Sequence, residues 1–203
     1  MEEGNGLISR RTRSSSTNLP LIEEEGAPGE IAAIYDSFKT RFNRSSVPGI
    51  LQCFATHPPL ARSMVDLASN MLFVDGHLSC RMKEMIAALV SSQNACPYCA
   101  DAHGHSFMEQ GGSEQALAAL QTDHLRSPAF SAEEQALLLF VAKVTRVSNQ
   151  ICRADIEELI RVGWTEIQIA EAVHVAALYA AFNRIANAFG LPSQDLLSAT
   201  ESR

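Results

Sequence analysis

The chain has 203 residues, a formal net charge of −7, 46% hydrophobic and 19% charged residues, enough to bury a sizeable core as one domain. That balance excludes a wholly disordered protein, and the acidic charge argues against a general nucleic-acid surface, which needs a basic patch. No apolar run approaches the roughly 18–20 residues of a membrane helix; Ala172 to Phe182 is apolar-rich but too short.

Residues 1–26 read as a polar, Ser/Arg-rich arm ending in Glu23-Glu24-Glu25, expected to be disordered or to dress a neighbouring subunit. Arg10, Arg11 and Arg13 among serines resemble an organelle transit segment in composition, but Glu2 and Glu3 count against one. Pro28 to Phe42 places Ile31, Ile34, Tyr35 and Phe38 at helical spacing. Pro48 to Thr56 is a shorter helical piece, and Pro58-Pro59 opens a third helix carrying Leu60, Met64, Leu67 and Met71. After the Asp75-Gly76 turn, Ser79 caps a helix reaching Gln93, with Met82, Ile86, Leu89 and Val90 on its buried side and Glu84 near its start.

Ala95 to Gln110 forms the next helix, with Asn94 as its expected N-cap and Gly111-Gly112 as its stop. A short helix covers Ser113 to Leu120. Ser131 with Glu134 is a capping box ahead of an apolar helix running to Val147, and Ala154 to Arg161 is a short helix ending at Gly163. Thr165 with Gln168 opens the longest helix, which ends in Gly190-Leu191-Pro192; residues 193–203 form a polar tail. No alternating strand pattern is visible, so the fold class is all-α, with the domain proper at 27–192.

The chemistry concentrates between Glu84 and Phe107. Cys96 and Cys99 form a C-x-x-C pair, and His103 follows Cys99 by one helical turn, so the three side chains share a face at a helix start. Unpaired amides at a helix N-terminus and a nearby imidazolium both favour thiolate over thiol. Cys53, Cys80 and Cys152 are isolated, which with the absence of an apolar leader points to a reducing, cytoplasmic setting where C-x-x-C is catalytic or metal-binding. A zinc site would need a fourth ligand from Cys80, His105 or elsewhere; there is no second C-x-x-C. Haem attachment needs His where Ala100 stands, and a thioredoxin pair would follow a strand. No flavin, haem or nucleotide motif occurs, so no cofactor and no metal are expected.

Glu84, Cys96, Cys99 and His103, spaced E-x11-C-x2-C-x3-H, resemble the motif of AhpD-type alkylhydroperoxidases, within the carboxymuconolactone decarboxylase-like superfamily. The run I-A-A-I-Y-D and the late N-R-I-A-N-A-F-G-L-P extend the resemblance to the peroxidase-related branch, over roughly Leu19 to Pro192. Tyr98 stands where the best-described members carry His between the cysteines. The resemblance implies an AhpD-like helical bundle and a thiol-dependent hydroperoxide reductase. In that scheme Cys99 is the peroxidatic thiol, and His103 takes its proton with Glu84 assisting through a water or Tyr98. Cys96 then resolves the sulfenic acid to a disulfide, which a lipoyl-bearing or thioredoxin-like dithiol partner reduces at the more exposed Cys96. His105 is expected at the surface, pointing elsewhere. Asn183 and Arg184 match the family's recurring N-R, and with His174 and Tyr179 approach the dithiol pocket or a subunit interface. Family members are homo-oligomers. Alternatives from other classes are a carboxymuconolactone-decarboxylase-type lyase, which uses no C-x-x-C, a general disulfide redox protein, and a zinc-binding structural oligomer.

Overall fold

The computed structural model describes residues 17–200. These form helices α1 (Gly29–Phe42), α2 (Gly49–Phe54), α3 (Pro58–Leu67), α4 (Cys80–Gln93), α5 (Pro97–Glu109), α6 (Glu114–Gln121), α7 (Ala132–Val147), α8 (Arg153–Arg161), α9 (Glu166–Phe189) and α10 (Leu196–Thr200). A π-helical turn, Ala68–Leu72, extends α3. No strand occurs among the described residues, so the all-α expectation holds.

The bundle is built round α4. Ten successive residues, Met82 to Ser91, are buried, so this helix has no solvent face, whereas the sequence pattern had implied one buried side. Helices α5, α6, α7 and α9 surround it, and Ile86, Leu89, Val90, Phe107, Leu137, Leu138 and Val175 form the main core. Each such side chain contributes about 1.5–3 kcal/mol on burial. Helices α1 to α3 enclose a second cluster (Ile31, Tyr35, Leu51, Phe54, Val65), joined to α9 through Phe182 and Ile185. Both predicted capping boxes form, Ser131 with Glu134 and Thr165 with Gln168.

One cation and one anion, Lys83 and Glu171, are paired inside the bundle. Lys83 is 0% exposed; its Nζ donates to the carbonyls of Met71 (2.7 Å) and Val74 (2.9 Å) and lies 2.7 Å from Glu171 Oε1. Glu171 Oε2 accepts from the Leu78 amide at 2.8 Å. The pair thus fastens the 71–78 loop to α4 and α9. Gly76 sits against it, where a Cβ would lie 2.6 Å from Glu171 Oε1.

The terminal segments differ from expectation. Residues 1–16 of the predicted arm lie outside the described residues, but 17–26 pack on the body. The Asn18 amide donates to the Phe189 carbonyl (2.8 Å), Ile22 is buried, and the Tyr35 hydroxyl donates to the Ile22 carbonyl. Gly190 makes this docking possible: its φ of 75° ends α9 in the left-handed region, and a Cβ there would meet Asn18 at 2.8 Å. In the polar tail, Asp101 accepts from the amides of Gln194, Leu196 and Leu197 at 3.0–3.1 Å, holding the start of α10 on α5. A local composition reading misses both because each depends on a partner far away in sequence.

Candidate active site

Local backbone chemistry places the dithiol. Pro97 forces its predecessor toward extended backbone, which is the conformation of an N-cap, so α5 begins at Pro97 with Cys96 as its cap. Asn94, the expected cap, instead closes α4. Between them Ala95 takes a φ of 49°, an uncommon conformation for a residue with a Cβ. The strained turn is pinned from α9, where Asn187 Nδ2 donates to the Asn94 and Ala95 carbonyls at 3.3 Å.

The Cys96 and Cys99 sulfurs lie 2.7 Å apart as free thiols, and the Cys96 sulfur also accepts from the Cys99 amide at 3.4 Å. The charge of the singly ionised pair settles on Cys96. The Cys99 thiol bonded to it is the largest influence; burial opposes ionisation, but the Cys99 amide, the His103 charge and Asn183 help outweigh it, and the thiol is held down to about 7. Cys99 is pushed well above the usual thiol range by the Cys96 bond and by burial. Both sulfurs are enclosed, Cys96 at 1% and Cys99 at 4% exposure, so Cys96 is not the more exposed partner that had been expected. Cys53 of α2 joins the same cluster, but burial pushes its thiol up to about 12, which makes it a packing residue.

Glu84 and His103 meet directly. Glu84 is buried, and its Oε2 lies 2.8 Å from His103 Nδ1, with no intervening group. This contact fixes the ring's orientation and leaves Nε2 as its other nitrogen. Asn183, fully buried, donates to Ser91 Oγ and accepts from Asn94 Nδ2, both at 3.0 Å, and faces the two sulfurs. Tyr98 has a different role from the expected one. Its hydroxyl accepts from the Ile50 amide at 3.3 Å, anchoring α2 over the dithiol rather than linking Glu84 to His103. Arg184 is not in the site. One residue beyond Asn183 on a helix is about 100° round its axis, and Arg184 is exposed, donating to the Ala180 carbonyl of its own helix.

A cavity of about 540 Å³ opens onto Cys99, Glu84 and His103, and Cys96 is not in its wall. Tyr98, Cys80 and Tyr179 line it too, as does His105, which had been expected to point away. Among the described residues no group of three or more His, Cys, Asp or Glu is placed to hold a metal ion. Tyr179, which the sequence reading grouped with Asn183 and Arg184, lies in the cavity wall with its ring edge-on to His103. It sits four positions before Asn183, hence on the same face of α9, and that spacing is the signal that places it at the dithiol.

A family model described as PA26 p53-induced protein (sestrin) matches residues 23–193. No curated protein matches the chain. Among solved structures, a peroxidase-related protein from a Silicibacter species is 26% identical, with a TM-score of 0.78 over 93% of this chain and 97% of that one. A peroxidase-related protein of Ralstonia eutropha, described as an alkylhydroperoxidase AhpD core, is 24% identical, with a TM-score of 0.77 over 89% and 94%. The debrominase Bmp8 is 17% identical, with a TM-score of 0.68 over 93% and 97%. The AhpD-like fold thus carries more than one activity, and the side chains at the site must decide between them.

Proposed function

This chain belongs to the PA26 p53-induced protein (sestrin) family and has the fold of AhpD-like, peroxidase-related proteins; from that premise we propose that it is a thiol-dependent hydroperoxide reductase. The observation that carries the reading is the one-sided access to the dithiol: the cavity reaches Cys99, while Cys96 waits 2.7 Å behind it. That is the arrangement needed for a peroxidatic thiol and its resolving partner.

The proton bookkeeping follows from the charge distribution. In the resting pair the anion lies on Cys96, so Cys96 rather than His103 is the nearest base for the Cys99 proton. Passing that proton between the sulfurs makes Cys99 the thiolate. It attacks the terminal oxygen of ROOH; the O–O bond breaks, an S–O bond forms, and Cys99 becomes a sulfenic acid. The departing alkoxide takes back the proton held on Cys96 and leaves as ROH. Cys96, again a thiolate, attacks the Cys99 sulfur; the S–S bond forms and hydroxide leaves as water with a proton delivered through His103, which Glu84 holds in place. A dithiol protein, lipoyl-bearing or thioredoxin-like, then reduces the disulfide by exchange. The exposed Leu60, Phe73, Ile160 and Ile167 offer apolar contact for a homo-oligomer.

Intact-mass thiol counting before and after one equivalent of an organic hydroperoxide tests the reading. The native protein should lose two hydrogens mapping to a Cys96–Cys99 bridge. Cys99→Ser should lose none, and Cys96→Ser should stop at a trappable sulfenic acid after one turnover. Unchanged peroxide consumption by Cys99→Ser would sink the assignment.

A further inference from the structure

The cavity has a wall that peroxide reduction as such does not require. Phe38, Phe42, Phe54, Phe73 and Phe182 converge on it from α1, α2, α9 and the end of the π-helical turn. They are packed among themselves: Phe42 meets Phe73, and Phe54 meets Phe182, edge to face at 5.6 Å. A cavity of about 540 Å³ lies within the roughly 300–1,000 Å³ of sites that hold sizeable organic ligands. Hydrogen peroxide, small and polar, gains nothing from such walls.

At the inner end stands Tyr179, buried on α9, with its ring edge-on to His103 at 4.4 Å between centroids. Its hydroxyl is buried and no group among the described residues accepts a hydrogen bond from it. Buried tyrosine hydroxyls normally find a partner, because water is lost on burial and must be replaced. The other orphaned side-chain atom among the described residues, Gln93 Oε1, is not in the cavity wall. The Tyr179 hydroxyl is also close enough to Glu84, Cys80 and Cys99 to respond to their charges, and burial first, then those charges, push it well above the ordinary phenol range. It therefore keeps its proton and acts as a neutral donor.

Resting on the hydroperoxide reading above, we propose that Tyr179 is the substrate-binding donor of this site. Its hydroxyl hydrogen-bonds the alkyl-bearing oxygen of a bulky, apolar organic hydroperoxide, whose hydrocarbon part fills the aromatic cavity and whose terminal oxygen faces Cys99. When Cys99 sulfur attacks that terminal oxygen, the O–O electron pair moves onto the alkyl-bearing oxygen, where the donor already stands. The bond strengthens as negative charge develops, so it stabilises the transition state more than the bound substrate. Tyr179 does not surrender its proton; the alkoxide is neutralised by the proton that left Cys99. One oxygen anchored in an aromatic chamber also explains selection: the hydroxyl sets the register of the O–O bond, and the phenylalanines reward the hydrocarbon.

The test follows the first oxidation step by rapid quench and thiol counting in the full chain, with cumene hydroperoxide and with hydrogen peroxide, for wild type, Tyr179→Phe and Cys99→Ser. Wild type should react at least about tenfold faster, per molar, with cumene hydroperoxide than with hydrogen peroxide. Tyr179→Phe should lose about tenfold to hundredfold with cumene hydroperoxide, within the range for removing one transition-state donor. It should melt at or above the wild-type temperature, since phenylalanine removes an unpaired buried hydroxyl. Titrating 2-phenyl-2-propanol, the product alcohol of the probe, into Cys99→Ser should show binding that weakens at least about fivefold when Tyr179→Phe is added. A Tyr179→Phe protein that reacts at the wild-type rate, or melts well below wild type, overturns the role of Tyr179 and leaves the reductase reading intact. A wild type that prefers hydrogen peroxide overturns the substrate class. A wild type whose dithiol neither peroxide oxidises overturns the parent reading, and this one with it.

Discussion

Replacing Lys83 with methionine strands a carboxylate inside the bundle. In the native structure Lys83, itself fully buried, meets three acceptors, the Met71 and Val74 carbonyls and Glu171. Methionine fills the volume but donates nothing, so two loop carbonyls and Glu171 lose their partner together. Breaking one side of a buried ion pair costs about 3–5 kcal/mol, which for a domain of this size lowers the melting temperature by about 6–20 °C. The pH dependence has a definite sign. Burial alone would raise the Glu171 carboxyl; Lys83 and the Leu78 and His77 amides outweigh it, and the group lies below its ordinary value. Its contribution to the wild type is therefore present above the unfolded value of 4.5 and fades as pH falls through the lower folded one. In the variant burial wins, the carboxyl rises, and the penalty is full above that raised value and relieved on protonation. The gap between the two proteins should be wide at pH 8 and narrower at pH 5 in urea titrations. Lys83→Met with Glu171→Leu should recover most of the loss. A Lys83→Met protein within about 1 kcal/mol of wild type, or a double variant no better than the single, would refute the reasoning.

Alkylation of the dithiol by iodoacetamide should follow a midpoint of about 7, falling at lower pH as Cys96 takes up its proton. Asn183→Leu should move that midpoint upward and cost about 1–3 kcal/mol of stability, because Ser91 and Asn94 lose a buried partner; an unmoved midpoint would remove Asn183 from the site. Asp101→Ala should free the start of α10. Hydrogen exchange at the Gln194, Leu196 and Leu197 amides would then accelerate while α4 stays protected, and unchanged exchange would show that Asp101 does not hold the segment.

What could be read from the chain was local. The capping boxes at Ser131 and Thr165, the αL stop at Gly190 and the grouping of Cys96, Cys99 and His103 depend on residues within one or two turns of each other. Glu84 was legible only through its register with the cysteines, and its direct bond to His103 required the α4–α5 hairpin to close. Arg184 entered through the family's recurring N-R, but a helix turns two adjacent residues to different sides, and only Asn183 faces the dithiol. Lys83 and Glu171 look like ordinary surface charges on paper, because nothing within either helix foretells a partner in the other. The cavity and the orphaned Tyr179 hydroxyl arise from the meeting of α1, α2, α5 and α9, a property of packing that no single stretch contains.

In the proposed reductase the Cys96 sulfur is at once a redox atom and a structural cap, and this ties the electrochemistry of the couple to the conformational stability of α5. A thiolate accepts the Cys99 amide and answers the positive end of the helix; a disulfide sulfur carries no charge to do either. By a thermodynamic cycle, whatever the fold gains from capping by the reduced pair is a bias toward reduction. About 1.4 kcal/mol of capping raises the midpoint potential by about 30 mV. The first turn of α5 thus acts as a voltage setting: variants that fray it would make the protein a weaker oxidant, even if they left both sulfurs and the cavity untouched.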